Sequence, residues 1–160
     1  MKRLTLFLIL FALLLKISLA QEPVVHQKKL IYKVIEGQEL AVDMFYSEAS
    51  QTSGNTAIAL FHGGGWAFGA PSEFFEACRR YASLGYVTFS FQYRLSKNSD
   101  DTYPHPGISP IESVKDARSA IRWLRAQADS LRIDPDKIVV GGQSAGGQLA
   151  LSTALLDSIN

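Results

Sequence analysis

This chain predicts an α/β domain: a mostly parallel sheet with helices on both faces, entered through an antiparallel hairpin. Three observations carry that expectation. Two β-rich runs with a short turn between them come early, at Leu30–Gly37 and Glu39–Ser47. From residue 57 onward, apolar strand-like runs alternate with amphipathic helical ones. Strand, helix, strand, helix, strand, helix after a hairpin is the order of a parallel sheet covered on both sides.

Each element has its own local reason. LIYKVIEG and ELAVDMFYS pair around Gly37, and the polar SEASQTSGN follows as a loop. AIALFH (Ala57 to His62) is a continuous apolar run of the kind buried on both faces. The glycine-rich GGGWAFGAP leads to a helix opening at Ser72, with Glu73 and Glu76 in its first turns and Gly85 closing it. In YVTFSFQYRL, bulky Val87, Phe89, Phe91 and Tyr93 alternate with small or polar Thr88, Ser90 and Gln92. One face of that strand is therefore bulky, and the other suits the underside of a helix or the edge of a site. Ser96 to Ser109 is an irregular loop. It ends in a helix start, with Ser109 as cap, Pro110 in the first turn and Glu112 placed for a capping box. Val114, Ala117, Ile121, Leu124 and Ala128 form one stripe of that helix, and Lys115, Arg118, Arg122 and Arg125 point mostly elsewhere. IDPDK turns the chain, KIVVGG is a short strand, and a last helix runs from about Ala145.

Composition bounds the function. The 160 residues suit one domain, and with 47% hydrophobic and 19% charged residues a packed core is within reach. Sixteen basic residues against fifteen acidic leave a net charge of +1, with no basic stripe to recruit nucleic acid. The Lys28-Lys29 pair reads as solvated surface. Residues 1–20 differ from the rest: a positive MKR, an apolar run from Leu4 to Leu15, then small residues before Gln21. That is the pattern of a secretory signal peptide, and the run is too short for a stable membrane anchor. The expectation is a secreted or periplasmic protein whose domain occupies residues 21–160. Cys78 is the single cysteine and lies on the apolar side of a helix, so it reads as a buried structural thiol.

The chemistry concentrates in GQSAG (Gly142 to Gly146), a G-x-S-x-G set between a strand and a helix. A serine on so sharp a turn is pushed clear of the sheet, and side chains two positions to either side would collide. The following helix aims its N-terminal amides at the same point, so the Ala145 N–H suits a developing oxyanion. A phosphate loop is excluded because Gly147-Gln148 stand where Lys and Ser/Thr belong. A dinucleotide loop fails too, with Phe68 in place of the last glycine after Gly63 and Gly65. No cofactor or metal is expected. Taken alone, the motif also fits a glycine-rich turn holding an incidental serine. The second motif, His62-Gly63-Gly64-Gly65-Trp66 directly after an apolar strand, is where backbone amides converge most freely.

HGGGWAFG, the QYRL strand end and GQSAGG together resemble the α/β-hydrolase carboxylesterases of the hormone-sensitive-lipase-like group, closest to exported acetyl-esterase and feruloyl-esterase-like members. The likeness spans about residues 30 to 160. It implies Ser144 as nucleophile and the amides of Gly64, Gly65 and Ala145 as oxyanion hole, with His62 shaping the glycine loop. The implied substrate is a small-molecule or carbohydrate-linked ester of a short acyl group. Gln143 departs from the Asp found in many relatives.

A serine needs a base, itself oriented by a carboxylate. After Ser144 the chain holds one acid, Asp157, and no histidine. His26 lies near the predicted cleavage site and His62 in the glycine loop, which leaves His105 as the histidine on a loop able to approach a pocket. Asp157 sits far along the helix and reads as a solvated end. The resemblance places the acid and base on loops of further strands that follow the serine helix. The chain is therefore expected to be the N-terminal part of a longer esterase, inactive alone apart from roughly 10³–10⁴-fold acceleration over water from an oxyanion hole. KIVVGG would then be left with an unpaired, aggregation-prone edge. A non-catalytic hydrolase-like binding protein is the alternative of another class, and a peptidase of the same fold a third reading. Trp66, Phe68 and the Ser96–Ser109 loop suit one wall of a pocket, or, for the aromatics, an ordinary core role.

Overall fold

The computed structural model describes residues 23–50, 52–96 and 109–155. The predicted signal segment, His105 and Asp157 lie outside them. β1 (Val25–Ile35) and β2 (Gln38–Ser47) form the expected hairpin. Its two-residue turn puts Glu36 at φ 50° and Gly37 at φ 80°. Positive φ at both positions marks a type I′ turn, whose twist matches the strands it joins.

β3 (Asn55–Phe61), α1 (Phe75–Ser83), β4 (Val87–Phe91), α2 (Pro110–Ala126), α3 (Ala128–Leu131), β5 (Ile133–Gly142) and α4 (Ala145–Leu155) follow in order. The strands line up as β1-β2-β4-β3-β5. β3 is parallel to both β4 and β5, whereas β2 runs antiparallel to β1 and β4. The parallel character is thus confined to the three strands that lead to the glycine motifs and to Tyr93.

The period-2 pattern of β4 decides how the layers form. Val87, Phe89, Phe91 and Tyr93 join Leu40, Val42, Ala59 and Phe61 in the larger core, covered by Val114, Ala117, Ile121 and Leu124 of α2 and Leu149 of α4. On the other face Phe45, Ile58 and Leu60 pack with Cys78 and Ala82 of α1. The polar side of β4 lies under that helix: the Thr88 hydroxyl donates to the Cys78 carbonyl at 3.0 Å and the Ser90 hydroxyl to that of Pro71 at 2.7 Å. Cys78 is fully buried, and burial pushes its thiol up to about 11, as an inert structural thiol requires.

Several local expectations are corrected. α1 is preceded by a 3-10 turn over Pro71–Phe74, and its opening is held by Glu73, whose carboxylate accepts the Ala70 N–H, with no Ser72 cap. Its far end is a Schellman motif: the Gly85 N–H bonds Ala82 O, the Tyr86 N–H bonds Tyr81 O, and the two tyrosine rings meet edge to face. The capping box at Ser109 does not form, because Glu112 is drawn to Arg94 and Lys115. IDPDK does not precede the last strand but lies within β5. Its register jumps from Ile133 opposite Asn55 to Ile138 opposite Ala57, so the loop bulges out between two paired stretches.

β5 has no neighbour on its outer side among the described residues, and Val139 is 54% exposed there. No helix among the described residues is long and apolar enough to cross a membrane.

One charged cluster is buried in the larger core. Asp116, on the inward stripe of α2, has no exposed surface. It accepts both Nε and Nη2 of Arg94 at 2.8 Å, the Arg94 N–H at 3.1 Å and Lys33 Nζ at 2.6 Å. Bidentate pairing of this kind is stabilising only when both carboxylate oxygens are satisfied, as here. Asp116→Ala would strand Arg94 without its main partner, and we expect it to cost about 3–5 kcal/mol in urea unfolding. A loss below about 1 kcal/mol would contradict this role.

Candidate active site

Two backbone turns make the site, and both leave the carboxyl ends of adjacent parallel strands. β3 and β5 run in register to their last pair, Phe61 opposite Gly142. Beyond that pair the chains must turn without separating, and space runs out. A Cβ on Gly146 would stand 2.0 Å from the Phe61 carbonyl oxygen; one on Gly142 would stand 2.4 Å from Gly146 and 2.6 Å from the same oxygen. A Cβ on Gly63 would stand 3.2 Å from the Gln143 carbonyl oxygen, a tight but adjustable contact. At Gly142 and Gly146 glycine is a steric requirement.

Between Gly142 and Gly146, Ser144 takes φ 51°, a left-handed conformation that costs a serine of order 1 kcal/mol or more. Its side chain stands exposed at the N-terminus of α4, while Ala145 behind it is buried. The Gly146 N–H closes the turn on Gln143 O at 2.8 Å, and the Gln148 N–H reaches Ser144 O at 3.1 Å. The Ala145 N–H donates no hydrogen bond among the described residues, and the same holds for the N–H groups of Gly64 and Gly65.

The glycine loop is held from beneath. His62 is buried, its ring stacked on Tyr93 at 4.3 Å, with Nδ1 2.8 Å from the Gly63 carbonyl. That carbonyl can only accept, so Nδ1 carries the hydrogen. Burial lowers the histidine's proton affinity, which favours the neutral ring. Gly64 (φ 106°), Gly65 (φ 59°) and Trp66 (φ 61°) then curl in left-handed backbone, closed by the Ala67 and Phe68 N–H groups on Gly64 O. A side chain on Gly64 would strike Phe68 O at 2.3 Å.

The structure sets the serine turn against the glycine loop where Gly63 faces the Gln143 carbonyl. It sets His62 under the loop and His26 on exposed β1, beside Tyr46, far along the chain from either turn. Trp66 is half-buried against the larger core, whereas Phe68 is 55% exposed. No cluster of three metal-ligating side chains occurs among the described residues. A separate cavity of about 330 Å³, lined by Lys28, Met44, Tyr46 and Arg132 among others, lies at the amino ends of the parallel strands, opposite the serine. Open parallel sheets place their chemistry at the carboxyl ends, so that cavity is not the site.

Sequence reading missed several supporting residues. Gly69 is wedged where a Cβ would meet His62 Nδ1 and Glu73 Oε1. Tyr93 donates its hydroxyl to His62 O at 2.9 Å and Gly63 O at 3.2 Å. A tyrosine continuing the bulky face of β4 looks like core filler, and an acid such as Asp116 inside an apolar stripe was the available signal for the network behind it.

A mixed sheet with three parallel strands and helices on both faces, a strained serine between strand and helix, and a glycine loop at the next strand end define an α/β-hydrolase. More narrowly, residues 42–160 match the BD-FAE family, to which the chain belongs. It is 34% identical to an arylesterase of Saccharolobus solfataricus over 145 residues, covering 89% of this chain and 43% of that protein. It is 36% identical over 136 residues to a non-reducing polyketide synthase, atr1, of Stereocaulon alpinum, covering 77% of this chain and 5% of the synthase. Among solved structures, an esterase of Thermogutta terrifontis, Est2, superposes with a TM-score of 0.70 at 34% identity, over 78% of this chain and 42% of that one. The same esterase has been solved with butyrate bound and phosphorylated by paraoxon. The chain spans less than half the length of each of these proteins.

The steric account distinguishes two adjacent glycines. Gly146→Ala drives its methyl into the Phe61 carbonyl and is expected to destabilise by about 2 kcal/mol or more. At Gly147 the nearest atom is 3.3 Å away, and Ala there is expected to lie within about 1 kcal/mol of wild type. Equal thermal shifts for the two variants would contradict the close approach.

Proposed function

We propose that this chain supplies the nucleophile and oxyanion hole of an exported serine carboxylesterase acting on esters of short acyl groups, including carbohydrate-linked ones. The observation that carries the reading is Ser144: exposed, strained at φ 51°, and set at a helix N-terminus beside a glycine loop whose Gly64 and Gly65 amides donate no hydrogen bond among the described residues. In the reaction Ser144 Oγ attacks the ester carbonyl carbon as its proton passes to a base. The carbonyl oxygen gains charge facing the N–H groups of Gly64, Gly65 and Ala145. Collapse of the tetrahedral species expels the alcohol, which takes the proton back from the base, and leaves an acyl group on Ser144. Water then repeats the sequence and releases the acid.

The base is assigned to a histidine outside the described residues, because His62 is spent under the loop and His26 is remote. The relatives named esterases and the butyrate-bound neighbour support ester chemistry and a short acyl group.

The test uses protein expressed from the complete open reading frame. With p-nitrophenyl acetate, Ser144→Ala is expected to lower kcat by on the order of 10⁶-fold, and a fluorophosphonate probe to label wild type but not the variant. Undiminished hydrolysis by the variant would overturn the assignment. Wild type that neither labels nor hydrolyses would favour a binding protein.

A further inference from the structure

The segment leaving β4 does more than fill the core. Residues 93–96 grip the glycine loop at two points that bracket Gly64 and Gly65. On one side the Tyr93 hydroxyl donates to His62 O and Gly63 O. On the other, the Ser96 N–H and hydroxyl both reach Trp66 O, at 2.8 and 3.2 Å. Between these grips Arg94 ties the segment to α2: its side chain and N–H bond Asp116, and its carbonyl accepts the Ser113 hydroxyl at 2.7 Å.

Peptide planarity turns this grip into a statement about the site. The Gly63 carbonyl and the Gly64 N–H belong to one planar trans unit and point in opposite directions. Whatever holds the Gly63 oxygen inward therefore aims the Gly64 N–H outward. Two donors face it: His62 Nδ1 at 2.8 Å and Tyr93 Oη at 3.2 Å, whose single hydrogen is shared between His62 O and Gly63 O, and the His62 ring is itself kept in place by stacking on Tyr93. The Gly64 carbonyl is fixed separately by the Ala67 and Phe68 N–H groups at 3.0 and 2.9 Å, and this aims the Gly65 N–H.

We propose that Tyr93 is a positioning residue for the oxyanion hole: by holding the Gly63 carbonyl, its hydroxyl directs the Gly64 N–H toward the oxygen that becomes charged when Ser144 attacks. This rests on the reading of Ser144 as nucleophile. The loop is glycine-rich and left-handed, so it lacks side chains that would restrict its peptide planes. The restriction comes from below. Removing the hydroxyl leaves the ring stack and the His62 bond but frees the peptide to rock, which weakens a contact made fully only in the transition state.

The experiment compares Tyr93→Phe with Thr88→Val in the product of the complete open reading frame. Thr88 is the control: a fully buried residue of β4 whose hydroxyl donates to Cys78 O at 3.0 Å on the other face of the sheet, away from the glycine loop and from residues 93–96. With p-nitrophenyl acetate, Tyr93→Phe is expected to lower kcat about 10- to 100-fold, short of the 10²–10³-fold typical of losing an oxyanion donor outright, with KM within about twofold. Thr88→Val is expected to lower Tm comparably and to leave kcat within about twofold. A Tyr93→Phe enzyme with kcat near wild type overturns the proposal, as does an equal loss of kcat in both variants. Should Tyr93→Phe fail to fold, 3-fluorotyrosine at position 93 keeps ring and hydroxyl and alters only donor strength. An altered kcat at unchanged Tm then supports the role, and an unchanged kcat overturns it. Full activity in Ser144→Ala would instead remove the serine reading beneath it, a result separable from any of these.

Discussion

The constraint on which the site depends is the contact of bare backbone where β3 and β5 end. The Phe61 carbonyl oxygen lies against Cα of both Gly142 and Gly146, with no room for a methyl at either. That contact forces the serine turn to be tight, and a tight turn forces Ser144 into left-handed backbone with its side chain outward. It also keeps Gly63 against Gln143, so the glycine loop and the serine turn cannot drift apart. Strain at one residue is sustained because parallel pairing on β3 and helix packing on α4 over-determine it.

Beneath the contact lies a polar scaffold unusual for a small core. Arg94, Asp116 and Lys33 are brought from β4's exit, α2 and β1, and Tyr32 at their side has its hydroxyl pushed well above its usual range, first by burial and then by Asp116. A buried ion cluster is a doubtful source of net stability compared with an apolar one. What it does supply here is direction, because a bidentate Arg–carboxylate pair fixes angles that apolar packing leaves soft. The segment it fixes is the one that holds the glycine loop.

Much of this was legible in local sequence. The two-residue period of β4, the apolar stripe of α2 through Leu124 and the turn at Gly37 each reflect a single repeating environment and appear where expected. Ala128, the expected end of that stripe, falls instead in the separate α3 because the helix ends at Ala126. The glycines flanking Ser144 could be read because a steric demand admits one residue type. Less local features were hidden. The order β1-β2-β4-β3-β5 depends on which strand edges meet, and nothing within a strand records that. Glu112 sat correctly for a capping box, yet Arg94, distant in sequence, claimed it. Asp116 stands within the apolar stripe of α2, but its partners Arg94 and Lys33 are distant in sequence and nothing local names them. Within the site, Ser144 and the loop glycines carried sequence signals, whereas the supports, Tyr93 and Gly69, carried none beyond their place in a motif.

The central claim is that Ser144 and the three amides form one reaction centre. The most direct test is a crystal structure of the protein, expressed from the complete open reading frame, after reaction with paraoxon. The account predicts phosphorus bonded to Ser144 Oγ and a phosphoryl oxygen about 2.7–3.1 Å from the nitrogens of Gly64, Gly65 and Ala145. An adduct on another residue, or a phosphoryl oxygen turned away from all three amides, would contradict it.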